Sequence, residues 1–152
     1  MQLAKLPPLE NIVTLPDNIS RRELLIRLIQ PLAKSGIVDG IDTFADDLEE
    51  REEQVTTQVE GGFALPHARS LAVRRLGLTM GIAPPPGLNF GPDPSQPCRI
   101  FFLIAIPEFA PAAHLPLLQT LAKMARDQKR REKLLACTTA RQALKEIGSF
   151  KG

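Results

Sequence analysis

The chain has 152 residues, 43% of them apolar and 24% charged, enough to bury a full core without disulfide or metal staples. Seven Phe and no Trp or Tyr leave the packing of that core to Leu, Ile, Val and Ala. A formal charge of +2 is too nearly balanced to point to nucleic acid or to an anionic membrane surface.

Ile12-Val13-Thr14-Leu15 is short and β-branched and stops at Pro16-Asp17-Asn18, which predicts an edge strand. Ser20 and Glu23 form a capping box in which hydroxyl and carboxylate satisfy each other's orphan backbone donors. The helix they open carries Leu24, Leu25, Leu28, Ile29 and Leu32 inside and Arg21, Arg22 and Arg27 outside. Pro31 is expected to kink it and Gly36 to end it. Asp39 is the expected cap of a second helix, through Phe44, Ala45 and Leu48 into Glu49-Glu50-Arg51-Glu52-Glu53.

The stretch Thr57 to His67 then holds a short apolar run, opened by Gly61-Gly62 and closed by Pro66 before one of only two histidines. Proline fixes φ and lacks a backbone donor, so His67 is expected where a strand gives way to a turn, its imidazole facing solvent. Imidazole titrates near neutrality and can serve as nucleophile, base or metal ligand. The paired glycines supply a tight turn with positive φ. A second β-like run covers Leu76 to Ile82, and six prolines between Pro84 and Pro97 predict an ordered surface loop. Arg99 to Ile106 is apolar almost throughout, the pattern of a central strand covered on both faces, and Pro107 stops it.

His114 opens a strong helix with Leu117, Leu118, Leu121, Ala122 and Ala125 inside. Asp127 and Thr139 cap two more helices, Gln128 to Ala136 and Ala140 to Ile147, the latter closed by Gly148. Lys129-Arg130-Arg131, flanked by Asp127 and Glu132, reads as a solvated helix face, so no nucleic-acid partner is expected. The order β-α-α-β-β-β-α-α-α predicts a three-layer α/β/α fold, a mixed sheet of four to five strands flanked by helices on both faces. With no repeat or linker, residues 1–152 are expected to form one domain. Cys98 and Cys137 have no CxxC spacing and are expected to be reduced thiols in the cytosol. The first residues lack a signal-peptide pattern, and the longest apolar run, Ile100 to Pro107, is too short for membrane insertion. The expected location is cytoplasmic.

Thr57 to His67, followed by Ala68-Arg69, resembles the active-site segment of fructose/mannitol-type (type 2) IIA domains of the bacterial sugar phosphotransferase system. In that family a threonine, a glycine-rich turn and an apolar-Ala-apolar-Pro-His run lead to a phosphorylated histidine. The Leu48…Arg51-Glu52 segment, the strand ending Ile106-Pro107-Glu108 and the His114-Leu115…Leu118…Leu121-Ala122 helix follow in the family's order. The resemblance runs from about Leu9 to Ile147. It implies that His67 accepts a phosphoryl group from the histidine-containing phosphocarrier protein. His114 would be the second active-site histidine across a cleft, and Arg51 the arginine that faces the phosphoryl group. No cofactor and no metal are implied. The chemistry suits the residues: a neutral imidazole attacks phosphorus, and cations and N–H donors stabilise the charge spread over the equatorial oxygens.

Each residue also has a plainer reading. His114 could be a helix-start residue satisfied by a carbonyl, Arg51 could pair with its flanking glutamates, and Arg69 could be a solvent charge. Gln58-Val59 departs from the glycine that family members often carry beside the threonine, and the Pro84–Pro97 loop is unusually proline-rich. The resemblance leans to standalone nitrogen-regulatory IIA proteins, which bind a regulatory target according to phosphorylation. The alternative is a sugar-specific component relaying phosphate to a IIB domain. A non-catalytic interaction module is a second alternative, since cytoplasmic domains of anion exchangers share the fold. Two histidines and widely spaced acids match no zinc-ligand spacing.

Overall fold

The computed structural model describes residues 9–59 and 61–150. A 3-10 turn at Leu9–Asn11 leads into β1 (Ile12–Thr14), followed by α1 (Arg21–Lys34) and α2 (Ile41–Gln54). The strands β2 (Gln58–Val59), β3 (Phe63–Ala64), β4 (His67–Ser70), β5 (Gly77–Ile82) and β6 (Ile100–Pro107) come next. The helices α3 (Leu115–Arg126), α4 (Gln128–Leu135) and α5 (Ala140–Gly148) close the chain.

All six strands belong to one mixed sheet built around β6. β5 runs antiparallel along one side of β6, and β1 lies beyond β5 as a parallel edge strand. The other side of β6 is shared, in parallel, by β3 and then β4, with β2 paired antiparallel onto β3.

Alternation along β6 explains the three layers, because successive side chains point to opposite faces. Phe101, Leu103 and Ala105 join a core with Leu24, Leu28 and Leu32 of α1 and Phe44 and Leu48 of α2. Ile100, Phe102, Ile104 and Ile106 join a second core with Leu117, Leu121 and Met124 of α3, Leu134 of α4 and Ile147 of α5. Apolar residues on both faces are what a strand between two helical layers needs. α1 approaches the sheet closely over two glycines. A Cβ on Gly81 would stand 2.7 Å from Leu28 Cδ2, and one on Gly77 would stand 2.9 Å from Ile37 Cγ2.

Several local expectations hold. Ser20 accepts from Glu23 N–H, Asp127 from Arg130 N–H and Thr139 from Gln142 N–H at the starts of α1, α4 and α5, although the return half of the Ser20–Glu23 box is not made, the Glu23 carboxylate facing Arg27 at 3.7 Å. Both cysteines are buried free thiols. The Pro84–Pro97 segment is anchored by a Leu88–Cys98 bridge and by buried Leu88 and Phe90.

Other expectations are corrected. Among the described residues the sheet has six strands rather than four or five, because the histidine segment forms three short strands instead of one. Asp39 does not cap α2: Gly40 takes that position, and the Asp39 carboxylate pairs with Arg74 at 2.7 Å. Thr120 and Met124 are buried on α3 where Leu118 and Ala122 are half-buried. The basic cluster of α4 is largely structural. Arg130 bonds the carbonyl and carboxylate of Glu146 and lies over the Phe150 ring, and the Arg131 chain lies against Gly61.

Because Leu28 already touches Gly81, Gly81→Val is expected to push α1 off the sheet and cost about 1–3 kcal/mol. Urea unfolding with an unchanged m-value measures it.

Candidate active site

The cleft begins with an interrupted strand. Phe63 and Ala64 pair with Ile100 and Phe101, and pairing resumes in the same register at His67 with Ile104. Pro66 has no N–H, so it leaves the ladder, but its carbonyl still accepts the Ile104 N–H at 2.9 Å. His67 therefore opens a strand, where the sequence suggested a strand giving way to a turn. Its ring is half-buried rather than facing solvent.

Pro66 also lets the chain bend so that the imidazole reaches back two residues: Nδ1 lies 2.7 Å from the Leu65 carbonyl oxygen. A carbonyl only accepts, so Nδ1 carries the proton and Nε2 keeps the lone pair. Burial pushes the His67 pKa below the ordinary 6.5; the Leu65 carbonyl opposes this, Arg51 adds to it, and Glu52 opposes it more weakly. The ring is neutral at pH 7.

His114 arrives from the other layer. β6 ends at Pro107, the chain turns through Ala110 and Ala113, and His114 takes the N-cap position of α3. The two rings stand 5.7 Å apart between centroids, inclined at 32°. His114 Nδ1 is buried without a hydrogen-bond partner among the described residues, which removes the plainer reading of a ring satisfied by a carbonyl. Burial lowers its pKa, with smaller contributions from His67 and Arg69.

Arg51 comes from the last turn of α2, which packs against β4. Its Nη1 donates to the Val55 carbonyl at 2.8 Å, and among the described residues it forms no ion pair with its neighbouring glutamates. A cleft of about 280 Å³ is lined by Arg51, His67, Arg69, Ile106, Pro111 and His114, along with Ala68. The three residues singled out from sequence therefore meet in one hollow. Arg69, left open by the sequence, joins them because it lies two residues beyond His67 on the same strand face. No residue of the Pro84–Pro97 loop lines the cleft.

Behind the cleft lies a contact that sequence reasoning missed. Glu52 is only 5% exposed, and its carboxylate accepts the Thr57 N–H at 2.7 Å, the Thr56 hydroxyl at 3.0 Å and the Thr57 hydroxyl. Thr57 in turn accepts the Leu65 N–H at 3.1 Å. The only sequence signal was a glutamate on the inward side of the charged end of α2, next to Arg51.

A nucleophilic nitrogen, a second imidazole and two guanidinium groups around one hollow suit an anionic, electrophilic group such as phosphoryl. Residues 8–149 match the family described as the phosphoenolpyruvate-dependent sugar phosphotransferase system, EIIA 2. The chain belongs to this family. It is 31% identical to a fructose-specific EIIA component of the phosphotransferase system from Haloferax volcanii, across 88% of this chain and 86% of that protein. It is 35% identical to a nitrogen regulatory protein of Bradyrhizobium diazoefficiens, over 60% of this chain and 59% of that one. The fold matches the crystal structure of nitrogen regulatory protein IIA-Ntr from Neisseria meningitidis with a TM-score of 0.80 at 23% identity, covering 95% of this chain and 98% of that one. These matches bear out the EIIA type 2 resemblance and the layered α/β fold. Among the described residues no cluster of three or more His, Cys, Asp or Glu could hold a metal ion, and no helix is long and apolar enough to cross a membrane.

Titration of both histidines by NMR is expected to give midpoints below 6.5. Arg51→Met removes a cation that disfavours the imidazolium, so the His67 midpoint should rise. An unchanged or lower midpoint would separate Arg51 electrostatically from His67.

Proposed function

We propose that this EIIA type 2 protein is a phosphoryl carrier that takes its phosphoryl group on His67 Nε2 from the histidine-containing phosphocarrier protein. The observation that carries this reading is the hydrogen bond from His67 Nδ1 to Leu65 O, which leaves Nε2 unprotonated in a cleft with Arg51, Arg69 and His114. The Nε2 lone pair attacks phosphorus. The donor's N–P bond breaks, and its electron pair stays on the donor imidazole, which takes up a proton from solvent while the His67 ring keeps its Nδ1–H on the Leu65 carbonyl. Charge on the equatorial oxygens meets the guanidinium groups and an N–H of His114. The phosphohistidine keeps a high transfer potential, so the group can be passed on. This reading puts the protein in the cytoplasm with its donor.

The onward partner is proposed to be a IIB domain. The Haloferax relative named as a fructose-specific component supports relay, since that likeness spans most of both chains. The regulatory reading expected from sequence is the second one, supported by the Bradyrhizobium likeness over a shorter stretch.

The test is incubation with phosphoenolpyruvate, enzyme I and a cognate phosphocarrier protein, read by intact mass. Wild type should gain one acid-labile, base-stable phosphoryl group, and a folded His67→Ala should gain none. His114→Ala should keep the acceptor but slow uptake on the order of a hundredfold. Uptake by His67→Ala at another residue would overturn the assignment. Adding a fructose- or mannitol-type IIB domain then separates the onward roles. Relay discharges the phosphohistidine, whereas a regulator stays charged and holds its target in one phosphorylation state only.

A further inference from the structure

The register of the β2–β3 hairpin contains an anomaly. Val59 pairs with Phe63 and Gln58 with Ala64, so Thr57 stands opposite Leu65. The Leu65 N–H donates to the Thr57 carbonyl at 3.1 Å, which makes this a hydrogen-bonded pair. In an antiparallel ladder the two residues of such a pair exchange both bonds, so the Thr57 N–H belongs on the Leu65 carbonyl. It is not there. It donates instead to the Glu52 carboxylate at 2.7 Å, and the Leu65 carbonyl is taken by His67 Nδ1, also at 2.7 Å.

We infer that Glu52 is a positioning residue: by diverting the Thr57 N–H it frees the Leu65 carbonyl to hold His67 as the Nδ1–H tautomer. A tautomer is set by the partner of one ring nitrogen, and here that partner is available only because a buried carboxylate has removed its competitor. The cost of burying Glu52 is offset by three hydrogen bonds on its two oxygens, two from Thr57 and one from Thr56. Without Glu52 the Thr57 N–H returns to its ladder partner, and the imidazole shares or loses its acceptor. Nε2 then carries the proton for part of the time and cannot attack. The catalytic consequence rests on His67 being the phosphoryl acceptor; the tautomer does not.

The test reads the tautomer of His67 from its ring ¹⁵N shifts, at a pH above the titration of both histidines. Wild type should be Nδ1–H. Glu52→Leu fills the buried site without an acceptor and should move a large share of His67 to Nε2–H. Glu52→Gln keeps an oxygen for the Thr57 N–H and should retain the wild-type tautomer. Phosphoryl uptake should fall roughly tenfold or more in Glu52→Leu and recover in Glu52→Gln, the scale seen when the orienting partner of a metal-ligating histidine is removed. A folded Glu52→Leu that keeps the Nδ1–H tautomer overturns the inference. If that variant does not fold, wild type decides through scalar coupling across the hydrogen bond. Coupling of Thr57 N to the Glu52 carboxyl carbon supports the diversion, and coupling to the Leu65 carbonyl carbon refutes it. A tautomer shift in a protein whose wild type takes up no phosphate would leave the positioning intact and remove the proposed function.

Discussion

The carbonyl of Leu65 has two claimants: the ladder partner across the hairpin and the imidazole two residues along the chain. Its allegiance to the imidazole organises the cleft. Pro66 creates the contest by leaving the ladder while keeping register, so that the strand on either side stays tied to β6. A residue with an N–H at position 66 could continue the strand regularly, and His67 would then have no reason to reach back. The two glycines before it matter differently. Gly61 and Gly62 have φ of 95° and 87°, which lets the chain reverse between the paired Val59 and Phe63 and return Leu65 beside Thr57.

The cleft exists because β6 lies between two helical layers and its end is open to both. α2, on one face, carries Arg51 and Glu52; α3, on the other, has His114 at its N-cap. β4 lies along the side of β6 between them and supplies His67 and Arg69. No single element holds the group of side chains, so its geometry depends on how both layers pack onto one strand. This is why the buried apolar residues of β6, remote from any chemistry, bear on the distance between the two rings.

The layers were legible because their signals are local. Helical periodicity marked α1 and α3, capping residues marked three helix starts, and an unbroken apolar run marked β6. The three candidate residues were legible through their place in an ordered motif, not through any property of their own. What escaped depends on contacts between elements. β2 and β3 have two residues each, too short for a period of two to register. Asp39 had the chemistry of a cap but found Arg74, thirty-five residues away. Arg130 and Arg131 read as solvent charges because their partners, Glu146 and the Gly61 turn, lie on other elements. Glu52 stood in a charged run; its spacing from Phe44 and Leu48 put it on the inward side, but only the fold reveals the two threonines it holds.

The charge distribution follows from the same arrangement. Two neutral imidazoles cost little to half-bury, whereas a phosphoryl group brings roughly −1.5 to −2 charges at neutral pH. On the proposed reading Arg51 and Arg69, which line the cleft, supply the matching cations. Arg51 is already anchored: one of its five N–H donors is spent on Val55 O, at the end of its own helix where a cation is favoured. The remaining donors of a planar fork are thereby fixed in direction before any anion arrives, and less rotamer entropy is lost on binding. A lysine at position 51 could supply the charge, but its three rotatable donors could not be anchored and presented in the same way. On the proposed reading, preorganisation rather than net charge is therefore what an arginine contributes here, matching what the Leu65 carbonyl does for the imidazole.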